Sequence, residues 1–342
     1  MGSTEERQEY KSYFTYVVDD LKKMHEEFPD FQKHYVTLLQ DNVPHYKQAT
    51  GFTVVAAYKS FEPLHNLTPE SIRLANILGW CVDMYLCSFI MVDDIMDSSE
   101  TRFGLPCWYK KEGIGMRAIT DCYLVENSPY MILKKHFSNQ SCYGSLIELF
   151  RKVNFKATMG QTLDMQAVLD GKPQFDLFTR NVYQSMVRNK SGYPFFVLPT
   201  VSAMHFTGKY REEFYKNLKS VLLRLGEYLQ VQNDISDCYG NPEVTGKKGN
   251  DIQEGRNTWL IVKALEDGTL TQREIIKQHY GKPSLESEEK IQVVYNSLHI
   301  LDKFLQYEEE TYRNICNDVL KLPDESFHNY LLNVVNAVFV RN

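Results

Sequence analysis

Apolar positions along the chain recur at helical spacing. Phe14, Val17, Val18, Leu21 and Met24 form one stripe, with Pro29 beyond its end. Ile291, Val294, Leu298, Leu301 and Leu305 form another. Asn66 or Thr68 can cap a helix that has Pro69 in its first turn. That helix continues through Ile72, Leu74, Ile77 and Leu78 toward the aspartates at 93–97. Proline is absent from 130–172, 200–241 and 243–282, which leaves room for long helices. Alternating strand patterns bounded by hairpin turns are nearly missing. The pattern predicts an all-α protein, a single large helical bundle spanning 1–342, with residues 1–9 outside the folded part.

Composition narrows the class. The 342 residues are 43% hydrophobic and 24% charged, enough for a large core, and no repeat or linker divides them. The formal charge of −6, with no dense Lys/Arg stripe, argues against a nucleic-acid partner. Seven cysteines stand singly, without metal spacing, as in a reducing compartment. The N-terminus reads as neither a signal nor a transit peptide. The apolar stretch 80–92 contains Asp83 and is too short to span a bilayer. A cytoplasmic protein without a stable membrane anchor is expected. The alternative is an organelle transit peptide removed ahead of this N-terminus.

Two acidic clusters carry the chemistry. In Asp93-Asp94-Ile95-Met96-Asp97, positions 93 and 97 share one helix face a turn apart and repel unless a cation lies between them. In Gln232-Asn233-Asp234-Ile235-Ser236-Asp237, Asn233 and Asp237 share a face in the same way. Carboxylate and amide oxygens are hard ligands suited to Mg²⁺. Each cluster closes an apolar helix, so a pair of magnesium-binding helix ends around a polyphosphate is expected, with Asp94 and Asp234 counted among the ligands. Cations for the phosphate oxygens are Arg102, Lys190, Lys247, Lys248 and Arg256. Lys190 stands out because its helical neighbours are apolar and aromatic, and Pro194 is expected to kink that helix.

At these residues the sequence resembles the trans-prenyltransferases, farnesyl diphosphate synthases most closely. The stretches 93–109 and 230–260 match that family's two aspartate-rich motifs, and Gly160, Gln161, Asp164, Lys190 and Ser191 match positions between them. The resemblance implies an all-helical isoprenoid synthase fold around a central cavity, a homodimer, and three Mg²⁺ ions bridging the motifs and the diphosphate of an allylic substrate. It assigns Asp93, Asp97, Asn233 and Asp237 to metal, and Arg102, Gln161, Lys190, Lys247 and Arg256 to substrate. It also makes Ser88 and Phe89 the floor of the chain-length pocket. Ser88 would deepen that pocket toward a fifteen-carbon substrate, and Phe89, Tyr193 and Phe196 could stabilise a cation by their ring faces.

The family's isopentenyl diphosphate pocket is altered. Thr50 stands for an arginine, Leu86 for a glutamine and Phe103 for a second arginine, while Lys47 and Arg102 are kept. Each lost charge-assisted contact costs roughly 1.5–3 kcal/mol. On that ground the expectation is a Mg²⁺-dependent terpene synthase, a carbon–oxygen lyase. It would ionise E,E- or Z,E-farnesyl diphosphate and release a sesquiterpene. The alternatives are a prenyltransferase that condenses with isopentenyl diphosphate, and an inactive regulatory subunit.

Overall fold

The computed structural model describes residues 2–24, 27–45, 49–241 and 249–339. Among these, helices dominate, and the strands are confined to two hairpins of two-residue strands. The all-α class is therefore the one the sequence predicts. Contacts divide the chain into two compact units. The first holds Met1–Val153, Pro194–Leu218 and Leu322–Ala337; the second holds Asn154–Tyr193, Lys219–Lys321 and Val338–Asn342.

The first unit is organised on helix α4, with α1 (Thr4–Lys23), α2 (Pro29–Asn42) and α3 (Ala49–Phe61) before it. Helix α4 spans Pro69–Met96 and begins where the sequence places it. Thr68 caps it in a reciprocal pairing with Ser71, and Pro69 occupies the first turn. It is apolar all round and long enough to cross a membrane, but 83% of its most apolar window is buried in the protein. Helices α1, α3 and α5 (Ala118–Phe137), with α8 (Leu198–Phe206), cover it.

One contact sets how closely α3 approaches α4. A Cβ on Gly51 would lie 2.4 Å from the Gly79 carbonyl oxygen and 2.5 Å from an Asp83 oxygen, so only glycine fits there. The Gly51 N–H donates to Asp83 Oδ1 at 2.7 Å, and the Tyr10 hydroxyl donates to Oδ2 at 2.6 Å. Tyr10 also stacks on Trp80, whose indole N–H donates to the Tyr10 carbonyl. Residues 4–9, expected outside the fold, form the first turns of α1. A Ser3–Glu6 capping box starts that helix, and Lys59 pairs with Glu6.

The second unit takes the C-terminal part of α6 (Tyr143–Gln166), then α7 (Arg180–Val187), a π-helical segment Arg188–Val197 up to Tyr193, and most of α9 (Glu212–Tyr239). There follow α10 (Asp251–Glu254), α11 (Trp259–Asp267), α12 (Leu270–His279), α13 (Leu285–Ser297) and α14 (Ile300–Leu320); α15 (His328–Val338) belongs to the first unit but for its last residue. Pro194 has no N–H to give to the α-helical ladder, and the kink expected there takes the form of the wider π turn. The stripe from Ile291 to Leu305 is not one helix. His299 adopts φ 54° between α13 and α14, and the buried positions change register to Ile300 and Phe304, leaving Leu301 and Leu305 exposed.

Burial raises the Asp83 carboxyl to about 6, against the pull of its two donors, and burial likewise raises Asp234 to about 6. A carboxyl raised in this way favours folding fully below its unfolded value near 4. That contribution is lost as pH climbs through 6, up to roughly 3 kcal/mol per group. Asp83→Asn is expected to flatten the decline in thermal midpoint between pH 4 and pH 7 by about half. An unchanged slope in melting curves across that range would contradict the role given to Asp83.

Candidate active site

In the first unit, α4 delivers its acidic end to the surface. Asp97 is the C-cap, and Ser98 then turns at φ 50°. Asp93 keeps part of its side chain exposed, whereas Asp94 is only 5% exposed. Successive helix positions differ by roughly 100°, so Asp94 points inward when Asp93 and Asp97 face out. A two-residue hairpin, β1 (Thr101–Arg102) and β2 (Leu105–Pro106), follows and folds Arg102 back. Its guanidinium donates to Asp94 through Nε at 2.9 Å and also through a terminal nitrogen, and lies 4.0 Å from Asp93. Burial pushes the Asp94 carboxyl up while Arg102 pulls it back.

The tip of that hairpin is Phe103-Gly104, with φ of 54° and 79°. A tight hairpin asks for such angles, and glycine meets them freely. An L side chain in this left-handed region costs roughly 1–2 kcal/mol, so Phe103 is held under strain and half-exposed. Leu86 is fully buried and Thr50 is buried, neither offering a charge. Ser88 is also buried, and its hydroxyl donates to the Tyr85 carbonyl, a helix back-bond. Phe89 is half-buried.

In the second unit, Gly160 on α6 seats the π segment. A Cβ there would lie 2.3 Å from the Lys190 nitrogen. Lys190 Nζ, mostly buried, donates to Asp164 Oδ2 at 2.6 Å. Gln161 is buried nearby on the same helix. The Tyr193 ring is buried, with Lys156 and Lys219 at 5.9 and 5.6 Å from its centre, so cations of the protein already occupy its face.

On α9, Asn233 is exposed and Asp237 half-buried, while Asp234 between them is 3% exposed. Asp237 Oδ1 accepts the N–H groups of Asn250 and Asp251, at 3.0 Å each, at the start of α10. Asp234 Oδ2 accepts from the Tyr183 hydroxyl at 2.7 Å and from the Trp259 N–H at 2.8 Å. Its Oδ1 accepts from Gln230 at 3.0 Å. Arg256 pairs with Glu254 through Nε at 2.9 Å, and its carbonyl takes the Tyr280 hydroxyl. Lys247, Lys248 and Lys47 lie outside the described residues.

The predicted ligands thus separate into two kinds. Asp93 and Asp97 are half-buried and Asn233 is exposed, while Asp237 is half-buried with Oδ1 on the N–H groups that open α10. Asp94 and Asp234, also expected as ligands, turn inward and are held by protein donors, because each follows an outward residue by a single step. The partners of Asp234 were missed. Gln230 could have been found from its spacing of four residues on α9, and Tyr183 from standing two turns before Lys190. The Trp259 N–H has no sequence signal of its own.

Among the described residues, no group of three or more His, Cys, Asp or Glu side chains is gathered closely enough to hold a metal ion. Neither motif alone is a complete cage. The donor set is nevertheless all hard oxygen, without thiolate or imidazole, and that chemistry fits magnesium.

Comparison with known proteins places this geometry. The polyprenyl synthetase family model matches residues 32–298. Farnesyl pyrophosphate synthase of Gallus gallus is 37% identical over 329 residues, covering 94% of this chain and 90% of that protein. The Murgantia histrionica protein of the same name is 36% identical over 337 residues, covering 98% and 82%. The Homo sapiens one is 36% identical over 314 residues, covering 91% and 75%. These relatives overturn the expectation of a sesquiterpene-forming lyase. That expectation gave three substituted positions more weight than the framework retained along almost the whole chain. The chain is an enzyme of the polyprenyl synthetase family, a trans-prenyltransferase of the farnesyl pyrophosphate synthase-like type.

Proposed function

We propose that this chain joins an allylic prenyl diphosphate to isopentenyl diphosphate, releasing diphosphate and giving a longer prenyl diphosphate of the farnesyl class. What carries the reading is the match to farnesyl pyrophosphate synthases over more than nine-tenths of the chain, together with the outward-facing Asp93 and Asp97. Asp93 and Asp97 of the first motif, and Asn233 and Asp237 of the second, are the residues that would hold magnesium. Each motif offers two oxygen-bearing side chains, and diphosphate oxygens and water would supply the other donors of a six-oxygen shell. Magnesium, when bound, supplies Lewis-acid stabilisation of the departing diphosphate.

Lys190, Arg256, Arg102 and Lys247 add positive charge for the same oxygens, with Gln161 as a neutral donor. Lys190 and Arg256 are already paired with carboxylates, Asp164 and Glu254, which limit the freedom of their side chains. Asp94 serves the first motif from behind by fixing Arg102. The isopentenyl alkene then attacks the allylic carbon, and loss of a proton restores a double bond. Three ions, a homodimer and a cytoplasmic setting belong to the same proposal. Met116, Ile119 and Tyr123 are exposed along the start of α5, an apolar face suited to a second copy.

Purified protein with Mg²⁺ and an allylic diphosphate should form a longer diphosphate only when isopentenyl diphosphate is added. A hydrocarbon or alcohol made at full rate from the allylic substrate alone would refute the reading.

Asp93→Ala is expected to lower turnover by about 10³-fold or more while moving the thermal midpoint little, because a part-exposed carboxylate is removed. Wild-type turnover in that variant would remove Asp93 from the site. The substitutions at Thr50, Leu86 and Phe103 leave the second substrate weakly held. Phe103→Arg should therefore lower KM for isopentenyl diphosphate about 10-fold with kcat nearly unchanged, as one charged contact of roughly 1.5 kcal/mol is regained. An unchanged KM would mean that the hairpin tip does not face that substrate.

A further inference from the structure

The buried Asp234 sits next to Asn233 and three residues before Asp237, yet its side chain is buried and bonded within the fold. Asn233 and Asp237 differ by about 40° around the helix, whereas Asp234 is turned roughly 100° from Asn233 and about 60° from Asp237. A carboxylate buried to this degree needs partners on both oxygens. It finds three: the Tyr183 hydroxyl, the Trp259 N–H and the Gln230 amide. None of them carries a charge. The three donors come from α7, the first residue of α11 and α9 itself, so two other helices grip α9 at this one side chain. Gln230 is held in turn by Ser191, whose hydroxyl donates to Gln230 Oε1 at 3.0 Å, and Ser191 follows Lys190.

We propose that Tyr183 is a positioning residue that acts through Asp234 and sets how α9 presents Asn233 and Asp237 to magnesium. The proposal rests on the metal assignment of the prenyltransferase reading. Trp259 gives a backbone N–H that only a proline substitution would remove, and Gln230 shares its amide with Ser191. Tyr183 supplies the shortest of the three bonds, from a side chain that a single atom's removal disables. Without that hydroxyl, Asp234 keeps two donors, and α9 is free to turn until the carboxylate finds water. Such a turn carries Asn233 and Asp237 with it. Tyr183 also lines a cavity of about 330 Å³, with Gln184, Glu227, Trp259 and Tyr307 among others, from which water can enter. Outer partners of this kind change metal affinity or activity by about 10–100-fold when removed.

The test measures binding as well as turnover. Inorganic diphosphate is titrated into the full-length protein by calorimetry across a range of Mg²⁺ concentrations. For Tyr183→Phe, the Mg²⁺ concentration that gives half-maximal diphosphate binding should rise about 10-fold or more. Melting without metal should shift only slightly. Gln184→Ala lines the same cavity but bonds Glu227 instead of Asp234, and should leave the Mg²⁺ response at wild type. Tyr183→Ala opens a hole continuous with the cavity, and added phenol should restore part of that response. A wild-type Mg²⁺ response in Tyr183→Phe overturns the proposal while leaving the prenyltransferase reading intact. A wild-type protein that binds diphosphate equally well without Mg²⁺ overturns both. Mg²⁺-dependent binding that Tyr183→Phe weakens, in a protein that makes no condensation product, supports the positioning role and sinks only the condensation.

Discussion

Asp93 and Asp97 repel one another across a single turn of α4, and that repulsion is the constraint on which the rest turns. A helix end tolerates one carboxylate poorly at its negative pole, and two on one face more poorly still. Arg102 donates to Asp94, the inward neighbour, and also lies 4.0 Å from Asp93, so one guanidinium meets both carboxylates. Two carboxylates one turn apart on a helix end are hard oxygen donors that suit a divalent cation. Buried carboxylates elsewhere receive full sets of donors, as Asp83 does from Tyr10 and Gly51. Asp83 is thus held wholly inside the fold, whereas Asp93 keeps part of its side chain exposed.

The same division runs through the second motif, with different means. Asp234 is satisfied entirely by neutral donors, while Asp237 rests on two backbone N–H groups where α10 begins. Lys190 is brought up by the π turn that Pro194 forces and by the bare backbone of Gly160. Each of these devices fixes the backbone first and leaves the outward face of the helix to the ligand. Preorganisation of this kind is what electrostatic catalysis requires, since groups already in place need no reorganisation when charge develops.

The helices of the first unit were legible because their signals are local. Thr68 and Pro69 announce α4, and the stripe of Phe14, Val17, Val18 and Leu21 is the buried face of α1. The break at His299 was not legible, because neither glycine nor proline marks it and only packing selects the left-handed turn. Asp93 with Asp97, and Asn233 with Asp237, were paired as candidates from helical spacing alone. The inward turn of Asp94 and Asp234 follows from the same spacing once a partner is known, but Tyr183 and the Trp259 N–H are distant in sequence. The meaning of Thr50, Leu86 and Phe103 was misjudged for a further reason. Lost contacts were summed as if the pocket were otherwise unchanged, whereas single contacts add poorly when residues share one site.

The account stands on outward carboxylates that need metal before they can accept a diphosphate. Calorimetric titration of inorganic diphosphate into the wild-type protein, with Mg²⁺ and then with the metal chelated, tests this directly. Tight binding that disappears on chelation is the predicted result. Equal affinity in both conditions would mean that lysine and arginine alone hold the anion, and that the acidic helix ends have another purpose.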